Sequence, residues 1–331
     1  VSVRAKFARF SQDHPVGSLL ARRAVAGVVT LFFVSVIVFL ATEILPGNAA
    51  YAALGNSATP QRLRAVEEQL HLNSSLLHQY WSWLSGLLSG NPGTSLVTGE
   101  SVSAQVRPEI ANSAVLVIAA GLISTVIGIV AGTVAALRRD RPFDHVSSVT
   151  ALAITALPEF VVAIGLIIVF STLVFHALPA VSLIEPGTSV WSNPELLVLP
   201  IATLVIVVVP YLFRMTRAVV IEALESDYVE MAELKGLSPT KIVLRHALPN
   251  AIAPMAQVVG LNLLYLAGGI VVVEFVFNFN GMGRGLVEAV NARDIPVIQF
   301  IVIVLAAFYV VVNILSDVIG LIATPRRRLA R

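Results

Sequence analysis

The chain has no cysteine, three lysines among 331 residues, and only 13% charged side chains. Without cysteine there are no disulfides and no thiolate metal sites, and the redox compartment is left open. The lysines are Lys6, Lys235 and Lys241, and none follows a glycine-rich run, so the phosphate-cradling G-x-x-x-x-G-K-[ST] loop is missing. There is no H-E-x-x-H, and the six histidines are scattered singly, which leaves a zinc protease without a ligand set. No lysine lies within an apolar run and no Gly-x-Gly-Asp occurs, so intramembrane Ser–Lys and aspartyl chemistry are unsupported. These absences predict a chain that is not an enzyme by itself and binds no cofactor or metal of its own.

What the chain does have is apolar length. It is 56% hydrophobic, with a mean hydropathy of +0.85, whereas a soluble domain carries roughly a quarter charged residues. A bilayer core needs about 20 consecutive, mostly apolar residues per helix. Six such runs are read at 24–45, 111–136, 147–175, 196–216, 252–276 and 297–322. The first spans about 33 Å at ~1.5 Å per residue. It is too long for a signal-peptide core and lacks a small-residue cleavage site, so it is expected to remain as a span. The runs do not alternate apolar with polar residues, which argues against a β-barrel. The expected fold is an all-α polytopic membrane protein with six transmembrane helices.

Charge placement orients the bundle. Seventeen of the 22 Lys and Arg residues lie in 1–23, in Arg138–Arg141, between Arg214 and Arg245, and after Pro325. The other five are Arg62, Arg64, Arg107, Arg284 and Arg293. Positively charged loops stay cytoplasmic, so both termini (1–23 and 323–331) and the loop 217–251 are expected inside. Segments 46–110 and 277–296 are expected outside. A net charge of +2 needs no nucleic-acid partner to explain it.

The outer segment 46–110 is long enough to fold. Thr59-Pro60 resembles an N-cap with proline at the first helical position, and Leu63, Val66 and Leu70 follow at helical spacing. A second amphipathic piece, LLHQYWSWLSGLL, sets Tyr80, Trp81 and Trp83 among leucines. It reads as a helix in the membrane interface, as a docking surface for an extracytoplasmic partner, or as both.

Polar residues inside spans are candidate functional groups. Glu159 stands beside Pro158 in the third run, either as a satisfied group at a kink or as part of a translocation path. Asn262 in the fifth run is read as a packing contact or a path residue. Asn313 and Asp317, four apart in the last run, suggest interhelical hydrogen bonding. Glu43 and Glu274 lie near outer ends, within reach of water.

The inner loop is more specific. Asp227 with Glu230 reads as a capping box opening a helix over Tyr228–Lys235. Gly236 then supplies a left-handed stop, and Ser238-Pro239 restarts a helix that Pro249 is expected to end near Leu248. More than thirty residues for one connection point to a docking element for a cytoplasmic partner.

Glu230-Met231-Ala232-x-x-x-Gly236, then nine residues, then His246-x-Leu248-Pro249 resembles the Glu-Ala-Ala loop of ABC importer permeases, with Met231 and His246 as departures. Arg-His-Ala-Leu-Pro-Asn at 245–250 is similar to the form in dipeptide and oligopeptide permeases. The resemblance runs along nearly the whole chain, through ILPGN (44–48), NPGTSLVTGESV (91–102), 268–299 and TPRRR (324–328). Asn91-Pro92 and Thr324 depart from the usual residues. It implies a second, similar permease subunit, two cytoplasmic ATPase subunits that hold ATP and Mg, and an extracytoplasmic substrate-binding protein. It also implies import, and coupling to an ATPase through Glu230, Met231, Ala232, Gly236, Ser238, His246, Leu248 and Pro249. Peptides are the expected cargo, with nickel chelates or haem as alternatives. A self-sufficient channel or ion-coupled carrier is a third reading, but clear intramembrane charge pairs and inverted repeats are both lacking.

Overall fold

The computed structural model describes residues 15–43, 59, 61, 74–185 and 188–323. Among these it is helical, relieved by turns and one isolated bridge between Thr94 and Ser101. The helices are α1 (Pro15–Glu43), α2 (Leu76–Leu88), α3 (Val102–Leu137), α4 (Pro142–Thr155), α5 (Glu159–Ile167), α6 (Glu195–Leu224), α7 (Asp227–Leu234), α8 (Pro239–Ile242), α9 (Leu248–Val276), α10 (Met282–Ala292) and α11 (Ile295–Ala323). Five of them are long and apolar enough to cross a membrane, and α4 with the segment Glu159–Leu173 forms a sixth, bent candidate. The helix proposed over Leu63–Leu70 lies outside the described residues.

The third span differs most from expectation. Instead of one kinked helix it is two pieces meeting at 101°. Pro158 takes an extended conformation (φ −61°, ψ 146°) as the N-cap of α5. A proline lacks the N–H that would continue α4 and biases its predecessor away from helix, so the chain restarts rather than bends.

Small residues set the central seam. Gly128 and Gly132 of α3, four apart, lie against α6: a Cβ on Gly128 would collide with Leu212, and one on Gly132 would come within 2.6 Å of the Phe213 carbonyl. This close approach lets two helices pack by dispersion where lipid removes the hydrophobic drive. Against the seam, α9 adds Leu266 and Ile270 and its C-cap Phe277, which share one buried core with Leu116, Leu204 and Leu212. On the far side of α11, α1 seats Gly27 on Val310, and Gln299 donates to Thr42 at 2.8 Å. Val25, Phe33, Ile37, Leu122 and Val126 stay exposed around the perimeter, as lipid-facing side chains should.

At the end of α9 opposite the α6–α9 loop, Glu274 organises a hub. Its sequence position near a helix end suggested access to water, yet it is fully buried. Ser113 donates to Oε1 at 2.6 Å, while the backbone N–H groups of Gly283 and Arg284 donate to Oε2 at 2.7 and 3.2 Å. A carboxylate thereby satisfies the first turn of α10. Nearby, buried Asp294 accepts from Ser95 Oγ and from the Leu96 N–H, pinning the loop before α3 to the α10–α11 corner.

Candidate functional site

The loop between α6 and α9 begins where α6, longer than its expected span, runs on to Leu224. Ser226 is the extended N-cap of α7, and its hydroxyl donates back to Ala223 O at 2.6 Å. The expected capping box at Asp227 and Glu230 is therefore absent: both residues lie within the first turn, where their charge suits the helix dipole. Gly236 has φ +74°. Its N–H donates to Glu233 O at 2.8 Å, and the Leu237 N–H reaches Ala232 O at 3.3 Å. These two bonds complete a Schellman stop, accompanied by packing of Leu237 near Ala232.

The second half departs from expectation. Ser238 opens α8, its carbonyl taking the Ile242 N–H at 3.0 Å, but Pro249 does not end the helix. A π turn over Val243–Ala247, which contains His246, passes directly into α9, with Leu248 and Pro249 in the first turn of that helix. Pro249 cannot donate to the carbonyl four residues back and its ring would crowd it. The wider π turn accommodates both, with the Leu248 N–H bonded to Val243 O.

Ala223, Val229, Ala232, Ile242 and Ala247 form a small core that locks α7 onto the π turn. Glu230 and Met231 are exposed, as are Leu234 and Leu244, so the knob shows apolar side chains to its surroundings. Just before it, Arg217 grips Asp144 in a fork, Nε to Oδ1 at 2.5 Å and Nη2 to Oδ2 at 2.7 Å. Arg139 pairs with Glu225. The ends of α3, α4 and α6 are thus tied together at the root of the knob. Reading Arg138–Arg141 and Arg214–Arg217 only as orientation signals missed this network.

The break before α5 leaves Glu159 half-buried in the first turn of that helix. A Cβ on Gly269 would come within 2.7 Å of Glu159 Oε1, and Tyr265 lines the same pocket as Glu159. Thr203 and Val207 of α6 close the other side. Tyr265 and Gly269 were not anticipated, although the Gly268-Gly269 pair within an apolar run was a signal for close approach. Asn262 lies two turns from Gly269 on the same stripe of α9. It is buried at 1% exposure, and its Nδ2 has no hydrogen-bond partner among the described residues.

The remaining candidates separate. Asp317 pairs with Arg23 of α1 at 2.7 Å, whereas Asn313 bonds within its own helix to Tyr309 O at 3.0 Å. Tyr80 is buried, its hydroxyl 2.8 Å from Ser35 Oγ and its ring edge-on to Phe39, and Trp83 stacks on Phe39. These two rings fasten α2 to α1. Trp81, 55% exposed, is the one of the three turned outward.

Comparison with known families matches residues 124–329 to the binding-protein-dependent transport system inner membrane component, and residues 17–102 to its N-terminal membrane component. The glutathione transport system permease protein GsiC of Escherichia coli (strain K12) and of Shigella flexneri serotype 5b are each 35% identical over 307 residues, covering 93% of this chain and 97% of theirs. The Shigella boydii serotype 4 protein of the same name is 34% identical over the same span. A helical chain with five or six candidate spans and a packed knob between two of its long helices therefore belongs to the family of inner-membrane components of binding-protein-dependent transport systems, the permease subunits of ABC importers.

Proposed function

We propose that this chain lines half of the translocation path of an ATP-driven importer for di- and oligopeptides, with both termini and the knob on the cytoplasmic side. Its relatives are named for glutathione transport, and a short peptide is the cargo class nearest to that name. A second, similar permease supplies the other half of the path, and an extracytoplasmic binding protein delivers cargo at the far end. ATP and Mg bind to two cytoplasmic ATPase subunits.

The observation that carries the reading is the knob. It buries Val229 and Ala232 but leaves Met231 and Leu234 exposed, a rigid helix with an unfilled apolar face. Glu230, Met231, Ala232, Gly236, Ser238, His246, Leu248 and Pro249 make up the ATPase-coupling element, because a helix held by its own small core transmits displacement that a slack loop would absorb. Glu159, with Tyr265 beside it, marks the path wall, and Asn262 stands below on the same stripe.

The test is reconstitution. The assembled complex in liposomes is expected to accumulate labelled dipeptide only when ATP is enclosed with the ATPase subunits. Uptake by this chain alone, without ATP, would assign it to the carriers or channels. A cognate binding protein isolated with a nickel chelate or haem would keep the machine and change the cargo.

A further inference from the structure

A cavity of about 290 Å³ opens at the outer end of α1, remote from both the knob and Glu159. Phe39 and Glu43 of α1, Gln79 and Trp83 of α2, and Pro296 and Gln299 of α11 line it. Gln79 is 6% exposed, and its orientation is fixed by the network: Nε2 donates to Ser74 O at 2.9 Å, which leaves Oε1 buried with no donor. An amide oxygen in that position costs stability unless something donates to it. Glu43 adds a carboxylate, and it forms no ion pair among the described residues. Gln299 has committed its own Nε2 to Thr42 at 2.8 Å, so it does not supply the missing donor. The stacked rings of Phe39 and Trp83, 5.9 Å apart, add aromatic surface.

A carboxylate beside two aromatic rings, with no compensating cation among the described residues, makes a receptor for a hydrogen-bond-donating cation, and the Gln79 carbonyl lies buried behind its wall. The described residues contain no group of three metal-ligating side chains, so the chemistry is that of an ammonium rather than a metal ion. The surroundings identify its carrier. The helix α2 has Leu76, Leu77, Trp81 and Leu88 exposed around its docked face, the pattern of a helix lying in the headgroup layer. We infer that this cavity holds the primary ammonium of an aminophospholipid headgroup, ethanolamine in type, seating α2 and the outer end of α1 on the bilayer. The site is separate from cargo transport and does not depend on which solute is carried.

Lipid selectivity in the assembled complex tests the inference. Complexes would be passed through delipidating detergent and re-exposed to phosphatidylethanolamine or phosphatidylcholine, with bound lipid counted by native mass spectrometry. Phosphatidylethanolamine is expected to be retained at least tenfold better, because the quaternary choline has no N–H to give the Glu43 carboxylate. Glu43→Gln is expected to erase most of that preference. The wild-type comparison stands even if a variant fails to assemble. Equal retention of the two lipids, or an unchanged preference in Glu43→Gln, overturns the site. Displacement of the lipid by millimolar dipeptide also overturns it, since the ammonium pocket would then belong to the cargo.

Discussion

Gly236 offers the sharpest test of how the knob works. At φ +74° an L-residue pays roughly 1–2 kcal/mol to stay left-handed, asparagine less than most. Apart from its two chain neighbours, no atom among the described residues lies within 4 Å of the place a Cβ would occupy, so the cost is conformational and not steric. A penalty of 1–2 kcal/mol lowers the ratio of formed to unformed turn by about 5- to 30-fold. The expected order of damage is Val worst, then Ala, then Asn, because a β-branched residue is the least tolerated at positive φ. The assay is peptide transported per ATP hydrolysed by the complex in liposomes, with membrane insertion checked alongside. Gly236→Ala should lower that ratio severalfold while Gly236→Asn keeps most of it. If Asn is as harmful as Ala or worse, side-chain size against the ATPase decides the outcome, and the backbone argument fails.

Glu159→Gln keeps the shape of the carboxylate without its charge, so melting of the complex should hold while peptide transport falls; unchanged transport would remove Glu159 from the path. Arg217→Ala strands Asp144, which is 2% exposed but lies near the end of the bundle, where solvent screens charge, so a loss of about 1–3 kcal/mol is expected in thermal unfolding. A double variant with Asp144→Asn should lose less than the sum of the single changes. Gly128→Ala should destabilise by roughly 1–3 kcal/mol through overpacking onto Leu212, and equal stability would show that the α3–α6 seam can open without cost.

Much of this fold could be read along the chain because its signals are local. Apolar runs announce spans, and Gly236 with Ser238-Pro239 announces a stop and a restart within a few residues. Partnerships across the fold were not legible. Asp144 and Arg217 are 73 residues apart, and Ser113 and Glu274 are 161 apart, so nothing near either residue reveals its partner. Glu274 looked water-accessible because sequence shows depth along a helix but not which side the next helix covers. Pro249 misled for a different reason: its cost depends on whether the preceding backbone can widen, and the π turn at Val243–Ala247 does so. The Gly128–Gly132 spacing was visible and is a known sign of close helix approach.

Continuity through that π turn makes the knob and α9 one lever. Gly260 seats against Ser316 of α11 with no room for a methyl group, which gives the lever a fulcrum part-way along its length. At ~1.5 Å per residue, about 18 Å of helix lies on the knob side of Gly260 and about 24 Å on the other, so a ~10° tilt moves the ends by about 3 and 4 Å. The two ends travel in opposite directions. Through Glu274 the far end carries α10 with it, so a push on the knob that swings the near end of α9 one way draws α10 the other.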